Sequence, residues 1–498
     1  MRRALIAFVA LAGAASACAV GPTYHRPDVA APDAWRAPSA AEDSLRPFFD
    51  SLARGADLIP PSAGAPQPAA IRTSEAARFR SRAIDSSAVL GWADLFQDSV
   101  LRALVSTAVR ENRDVRVAAA TIELFRAQYG VVRGSLFPQI SANAFGGPLR
   151  TLGANGKTVA LTEVQLTTAL AWELDFWGRL RRETQAARSD FLASEQSQRA
   201  IVLSLVSDVA TSYLQLRELD LDLEISRRTM ASRQETLRLA LRRYQQGLIS
   251  ELDVRQFEAE VASSAVRVAD FERQIAQQEN AISVLIGRSP GSIPRGRSLP
   301  EVLGTFTVPT TLPSALIARR PDIRQAENEL AAATARIGSA QGARLPALAL
   351  SSQAGTVADK PGNTFRGAGE IYQLFAGVSI PLFRGGELAN RVRAAEAREA
   401  QARFGYERAT LVARREAEDA FVGVRMSRDQ ATAQARQVDA LKRARDLANR
   451  RYENGISSYL EVLDAERNLF SSEIALTQAQ RQELVAGIQL YKALGGGW

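Results

Sequence analysis

One cysteine and one histidine in 498 residues leave little room for several kinds of chemistry. Internal disulfides need a second cysteine, and a Cys/His zinc site needs several ligands, so both are excluded. Only His25 is available for histidine-based catalysis, and an enzyme is not the expectation. A formal net charge of +8 over the whole chain is a mild bias, not the concentrated basic face that nucleic acid requires. Beyond residue 17 no window of 18 consecutive apolar residues exists. That excludes a transmembrane helix and leaves a β-barrel as the other way to cross lipid. Proline is missing from residues 149–289 and again from 382–498. Such stretches, rich in Ala, Leu, Glu, Gln and Arg, are what long helices require.

The N-terminus reads as a leader. Met1-Arg2-Arg3 precedes an apolar run from Ala4 to Ala15, then Ala15-Ser16-Ala17-Cys18. A basic start, a short apolar stretch and small residues before a cleavage point describe a secretory signal peptide over residues 1–17. Two readings of the site stand side by side. Cys18 is the acylated N-terminus of a mature lipoprotein, or Ala15-Ser16-Ala17 is a plain A-x-A cleavage site. The first is preferred, because the lone cysteine falls at that position. The covalent lipid on Cys18 is then the only attached group expected, with no other cofactor and no metal. Ala19 rather than Asp follows Cys18, which points to the outer membrane.

Nine of the twenty prolines fall within residues 22–68. Residues 18–90 therefore read as an extended strap without its own core, with a poorly structured insertion over 38–90.

The remainder is a duplication. Asp114 matches Asp322, and Pro138 in Leu136-Phe137-Pro138 matches Pro346 in Arg344-Leu345-Pro346. Arg243-Tyr244-Gln245-Gln246-Gly247 matches Arg451-Tyr452-Glu453-Asn454-Gly455, and Gly287 matches Gly495, each pair 208 positions apart. The first repeat spans 91–289, a linker 290–312, and the second repeat 313–498. Each reads as a helix (about 97–134 and 313–343) followed by two short strands. The strands are about 139–147 and 162–174 in the first copy, 347–356 and 372–382 in the second. A very long helix follows (about 179–244 and 387–451), turns at Gly247 or Gly455, and returns (about 251–286 and 457–494). At 1.5 Å rise per residue each long helix measures roughly 100 Å, far beyond what a globule needs.

The strands carry a period of two. Leu374, Ala376, Val378, Ile380 and Leu382 alternate with small or polar residues, as do the even positions of Val164–Leu174. One greasy and one wet face suit a barrel wall with lipid outside and water inside; a sandwich strand facing a core is the alternative. Four strands cannot close a barrel, and open edges are not tolerated in lipid, so the chain must associate with copies of itself. The helices carry a seven-residue rhythm, as in Val202, Val206, Val209, Tyr213 and Leu216, or Val462, Leu469 and Leu476. Such stripes mark coiled-coil seams.

With these features assembled, the sequence resembles the TolC-like outer membrane factors, in particular the NodT-type efflux lipoproteins. The resemblance rests on Cys18-Ala19-Val20-Gly21-Pro22-Thr23-Tyr24, on Arg320-Pro321-Asp322-Ile323-Arg324 and on Gln341-Gly342-Ala343-Arg344-Leu345-Pro346. Ile380-Pro381-Leu382-Phe383-Arg384-Gly385-Gly386 and Val462-Leu463-Asp464-Ala465-Glu466 belong to the same pattern. It implies a mainly α protein with a small β part. Long antiparallel hairpins would form a periplasmic α-barrel, and four strands would join a trimeric 12-strand transmembrane β-barrel. It further implies a homotrimer in outer-membrane lipid that docks to a periplasmic membrane-fusion adaptor and an inner-membrane pump. The expected function is a passive exit duct for efflux or type I-like secretion. The alternative is a lipid-anchored periplasmic coiled-coil adaptor or scaffold.

Glycine supplies the positive φ needed where each long helix reverses. The tips Gly247, Leu248 and Ser250, with Gly455, Ile456, Ser457 and Ser458, are therefore the expected adaptor contacts. Glu461 and Asp464 lie three apart, on one helix face. The resemblance makes them a ring of carboxylates around the periplasmic entrance, favouring cations. Asp253 and Gln256 hold the equivalent positions in the first copy, so the ring is less acidic there. Tyr452 matches a family tyrosine that holds the entrance shut, but Ser457 stands where its arginine partner is expected, so the closing network must differ. Trp177 and Gly178, with Phe383 and Gly385, mark the joints between strand and long helix, where aromatics fit an interfacial girdle. Gly156-Lys157-Thr158 ends like a phosphate-binding loop but lacks its first glycine, Thr151 standing there, and reads as a hairpin loop.

Overall fold

A computed structural model of the chain describes residues 19–27, 96–152, 156, 158–303, 318–365 and 369–496. The leader, Cys18 and the 38–90 insertion lie outside the described residues. The fold is mainly helical with one small sheet. In order the elements are α1 (Ser99–Glu111), α2 (Arg113–Gly134), β1 (Gln139–Leu152), β2 (Thr158–Leu174), α3 (Arg179–Gln245) and α4 (Glu251–Leu285). They continue as α5 (Leu299–Leu303), α6 (Pro321–Gly342), β3 (Ala347–Ala358), β4 (Gly369–Ser379), α7 (Glu387–Glu453) and α8 (Tyr459–Ala493). The two long helices are 67 residues each, and the returning helices 35 each. No helix among the described residues is long and apolar enough to cross a membrane.

The chain divides into two units, each built from three separate stretches. One contains residues 117–198 and 321–409 with the N-terminal residues. It holds the sheet, whose order is β1-β2-β3-β4 with every pair antiparallel. The register fixes the two faces. Ile140 lies opposite Leu170, Trp172 opposite Leu350, and Leu348 opposite Val378, on one mostly apolar face. Gln139, Asn143, Thr167, Ser351 and Gln373 line up on the other. Ile140, Leu374 and Val378 are exposed, so among the described residues no layer covers the greasy face at these positions. Among the described residues β1 and β4 each have a neighbour on one side only.

The expected strand ends shift for identifiable reasons. β1 runs past 147 to Leu152, through Gly146-Gly147-Pro148. Proline lacks an N–H, yet an edge strand can turn that position outward, so the glycine-proline run does not end it. β4 stops at Ser379 rather than 382, just before Pro381.

The strap's visible part is tied down in the same unit. The Val20 N–H donates to the Trp177 carbonyl at 3.0 Å. Arg26 Nε donates to the Tyr406 hydroxyl at 3.0 Å, and the Tyr24 hydroxyl donates to Glu327 at 3.3 Å. Gly21 crosses Gly338 so closely that a Cβ would sit 2.3 Å from the Gly338 Cα.

The other unit contains the described residues among 96–116, 199–320 and 410–496. Its main core gathers Leu101, Val105, Val209, Tyr213, Leu216, Ile282 and Ile488, all essentially inaccessible. The seam positions Val206, Val209, Tyr213 and Leu216 are buried as the heptad spacing requires. Asp98 holds the start of α1. Its carboxylate accepts from the Val100 and Leu101 N–H groups, from the Arg297 N–H at 2.9 Å and from the Tyr213 hydroxyl. The first helix, expected to run unbroken from 97 to 134, is interrupted at Asn112. That side chain accepts from the Asp114 and Val115 N–H groups and donates to the Leu285 carbonyl at 2.9 Å. It therefore caps α2 while bonding a distant helix end.

Candidate entrance at the hairpin tips

Both long helices end in the same way. Gly247 has φ of 72° and Gly455 of 71°. The Gly247 N–H donates to Tyr244 O at 2.9 Å and the Leu248 N–H to Arg243 O at 2.9 Å. Gly455 and Ile456 repeat this on Tyr452 and Arg451 at 3.0 and 2.9 Å. Two such crossed bonds past a left-handed glycine satisfy the last carbonyls and fix the chain reversal. The turns leave apolar residues in solvent: Leu248 is 67% and Ile456 66% exposed. Leu252 and Leu460 are exposed beside them.

The helices that return are capped differently. Ser250 forms a capping box with Asp253, whose carboxylate accepts from the Ser250 N–H at 3.0 Å. Ser458 sits at the same position of α8 but makes no side-chain cap bond. Asp253 is thus occupied in stabilising the start of α4. Gln256, one turn on, is exposed. In the second copy Glu461 and Asp464 are both exposed. Glu461 accepts from Arg451 Nε at 3.3 Å, and Asp464 accepts from the Asn468 amide at 3.1 Å. Exposed pairs of this kind contribute little to stability.

Behind the turns lies a small core of Ala240, Phe257, Ala448, Tyr459, Val462 and Leu463, against which Ile249 and Tyr452 pack. The Tyr452 ring meets Tyr459 edge-on at 5.5 Å, and the Arg243 guanidinium lies 5.2 Å from its centroid. The tyrosine is held by ring and cation contacts of its own chain. The Ser457 hydroxyl, at the position of the expected arginine, is buried without a hydrogen-bond partner.

The two strand–helix joints differ. In the first, Trp177 Nε1 donates to Pro346 O at 2.8 Å, Gly178 (φ 78°) faces Ala19, and Asp175 accepts from the Leu180 and Arg181 N–H groups. In the second, Phe383 is 89% exposed and Gly385 (φ 53°) has open space around it.

Several buried polar groups carry no motif. Asp222, Glu218 and Glu260 are buried on helix faces that pack against neighbours. Glu260 lies three residues after Phe257 and six after Val254, both core residues, so a charge inside the apolar stripe is the signal that marks it. Among the described residues no cluster of His, Cys, Asp or Glu is arranged to hold a metal.

Comparison with known proteins decides the family. The model of the outer membrane efflux protein family matches twice, over residues 104–288 and 312–496. The chain belongs to the outer membrane efflux proteins. The two matches start 208 residues apart, 104 against 312, which is the offset of the duplicated motifs. Among its relatives, the solvent efflux pump outer membrane protein SrpC of Pseudomonas putida is 36% identical over 410 residues, covering 81% of this chain and 87% of that protein. The cation efflux system protein CusC of Escherichia coli O6:H1 is 32% identical over 458 residues, with 91% and 98% covered. The solved open state of the Neisseria gonorrhoeae MtrE outer membrane channel superposes with a TM-score of 0.75 at 31% identity, covering 84% of this chain and 95% of that one. This outer membrane efflux protein is therefore a channel of the outer membrane that extends into the periplasm, not a periplasmic adaptor.

Proposed function

We propose that the protein is the passive, trimeric exit duct of a tripartite efflux system. The observation that carries this is the four-stranded sheet, apolar on one exposed face and unpaired at β1 and β4. Lipid does not tolerate open strand edges, and three copies supply the twelve strands of a closed wall. Acyl chains on Cys18 would anchor the strap beside the first strand–helix joint, where Val20 is held by Trp177.

At the periplasmic end, Leu248 and Leu252 on one hairpin and Ile456 and Leu460 on the other meet the adaptor. Small apolar patches raised on rigid turns suit docking onto another hairpin. Glu461 and Asp464, three copies of each, ring the entrance and favour cations. The duct itself carries no catalytic chemistry, and an inner-membrane pump supplies the energy and selects the cargo.

Ion conductance of the purified protein in planar bilayers tests this reading. The expected record is a large, mostly closed pore that micromolar to millimolar divalent cations close further. In Glu461→Ala/Asp464→Ala the divalent effect disappears while the open conductance persists. Divalent block unchanged in that variant removes the two acids from the entrance, and absence of any pore removes the duct.

A further inference from the structure

We infer that the first hairpin holds a binding site for a tetrahedral oxyanion, phosphate or sulfate, between α3, α4 and α8. A cavity of about 250 Å³ opens there, lined by Ser226, Arg233, Ser264, Arg267, Arg467 and Glu260. Three guanidinium groups face one carboxylate, and both oxygens of that carboxylate are already engaged. Glu260 Oε2 pairs with Arg233 at 2.8 Å, and Oε1 accepts from Arg467. Among the lining residues positive charge is in excess; beyond them Glu466, its pKa raised by burial, lies near Arg233, and Asp270 lies near Arg267. Arg267 makes no hydrogen bond or ion pair among the described residues.

Two deeply buried groups in this wall lack partners. Ser226 is 1% exposed, and its hydroxyl has no hydrogen-bond partner; the Nε–H of buried Arg233 has none either. Buried donors are normally satisfied; the one nearby acceptor also left over, Glu466 Oε2, bonds neither of them. Several donors converging from three helices match an oxyanion with four acceptor oxygens better than a two-oxygen carboxylate. The volume takes a phosphate together with a few waters.

The second hairpin serves as an internal control. At the offset of 208, Ser226 corresponds to Gln434, Ser264 to Ser472, Arg233 to Leu441, Glu260 to Asn468 and Arg267 to Ala475. There the longer Gln434 reaches across and donates to the Ser472 hydroxyl at 2.9 Å. Arg233, Glu260 and Arg267 have uncharged counterparts there, while Glu473 beside Ser472 pairs with Arg228 and Lys442. The first hairpin lacks the bridging atoms that Gln434 provides in the second, and leaves that place to a ligand.

Titration of the detergent-solubilised full-length protein with inorganic phosphate by calorimetry, at constant ionic strength set with chloride, tests the site. The expected result is saturable binding at one site per chain, competed by sulfate. Arg267→Ala weakens it at least tenfold. Ser226→Gln, which copies the second hairpin, abolishes it without loss of helical circular dichroism. No saturable binding at millimolar phosphate, or unchanged affinity in both variants, overturns the inference.

Discussion

Asp222 offers a quantitative test of the packing between α3 and α8. Its carboxyl is buried, and burial pushes its pKa up to about 7, with Glu218 adding to the rise while Thr477 and Arg481 oppose it. The Thr477 hydroxyl, which donates to Asp222 Oδ1, opposes the rise without cancelling it. In the unfolded chain the same carboxyl titrates near the ordinary value of about 3.9. Between these two values the folded state binds the extra proton, so Asp222's contribution to stability is greatest below the unfolded value, falls as pH rises toward the folded pKa, and levels off above it. The slope is about 1.4 kcal/mol per pH unit, giving a ceiling of about 4 kcal/mol for the whole window. Asp222→Asn removes the titration and keeps the shape. The assay is urea unfolding in detergent, followed by circular dichroism, from pH 5 to pH 8. The variant's advantage should widen by roughly 2–3 kcal/mol between pH 5 and 7 and level off above. A constant difference across that range refutes a buried carboxyl titrating near neutrality.

Other perturbations separate features that look alike. Ser250→Ala removes a capping box and should cost about 1 kcal/mol, seen as faster amide exchange in the first turn of α4, whereas Ser458→Ala should leave α8 unchanged because no side-chain bond is lost. Gly455→Ala forces an alanine to φ near 71° with nothing in steric contact, so its cost of roughly 1–2 kcal/mol is purely conformational and should appear as faster proteolysis at the tip. Asp98→Ala strips the cap from α1 and leaves the buried Tyr213 hydroxyl and Arg297 N–H without their acceptor; about 3 kcal/mol should be lost in urea unfolding.

Periodicity made most of the fold readable. Alternation by two located the strands, the seven-residue stripe located the helices, and the repeated glycine located both reversals. Tertiary choices were hidden. Nothing local announces the break at Asn112, because the carbonyl it bonds belongs to Leu285. The extent of β1 was missed because glycine and proline read as a stop when the strand's place at the sheet edge is unknown. At the tips, Ser250 and Asp253 form a cap pattern three residues apart that the sequence itself displays. Apart from Glu260, the buried acids and arginines carry no sequence signal of their own, because a charge in a polar-rich helix looks solvated until its neighbours are known.

The equal lengths of the paired helices restrict how such a chain can change. Adding one residue to a long helix displaces its turn by about 1.5 Å and rotates every later side chain by about 100°. Unless the sister copy gains the same residue, the two turns no longer stand level, and one of them loses its hold on whatever both must grasp. Genetic drift in length is therefore coupled between distant parts of the gene, and tolerated indels should occur as matched pairs or in the connections outside the rods.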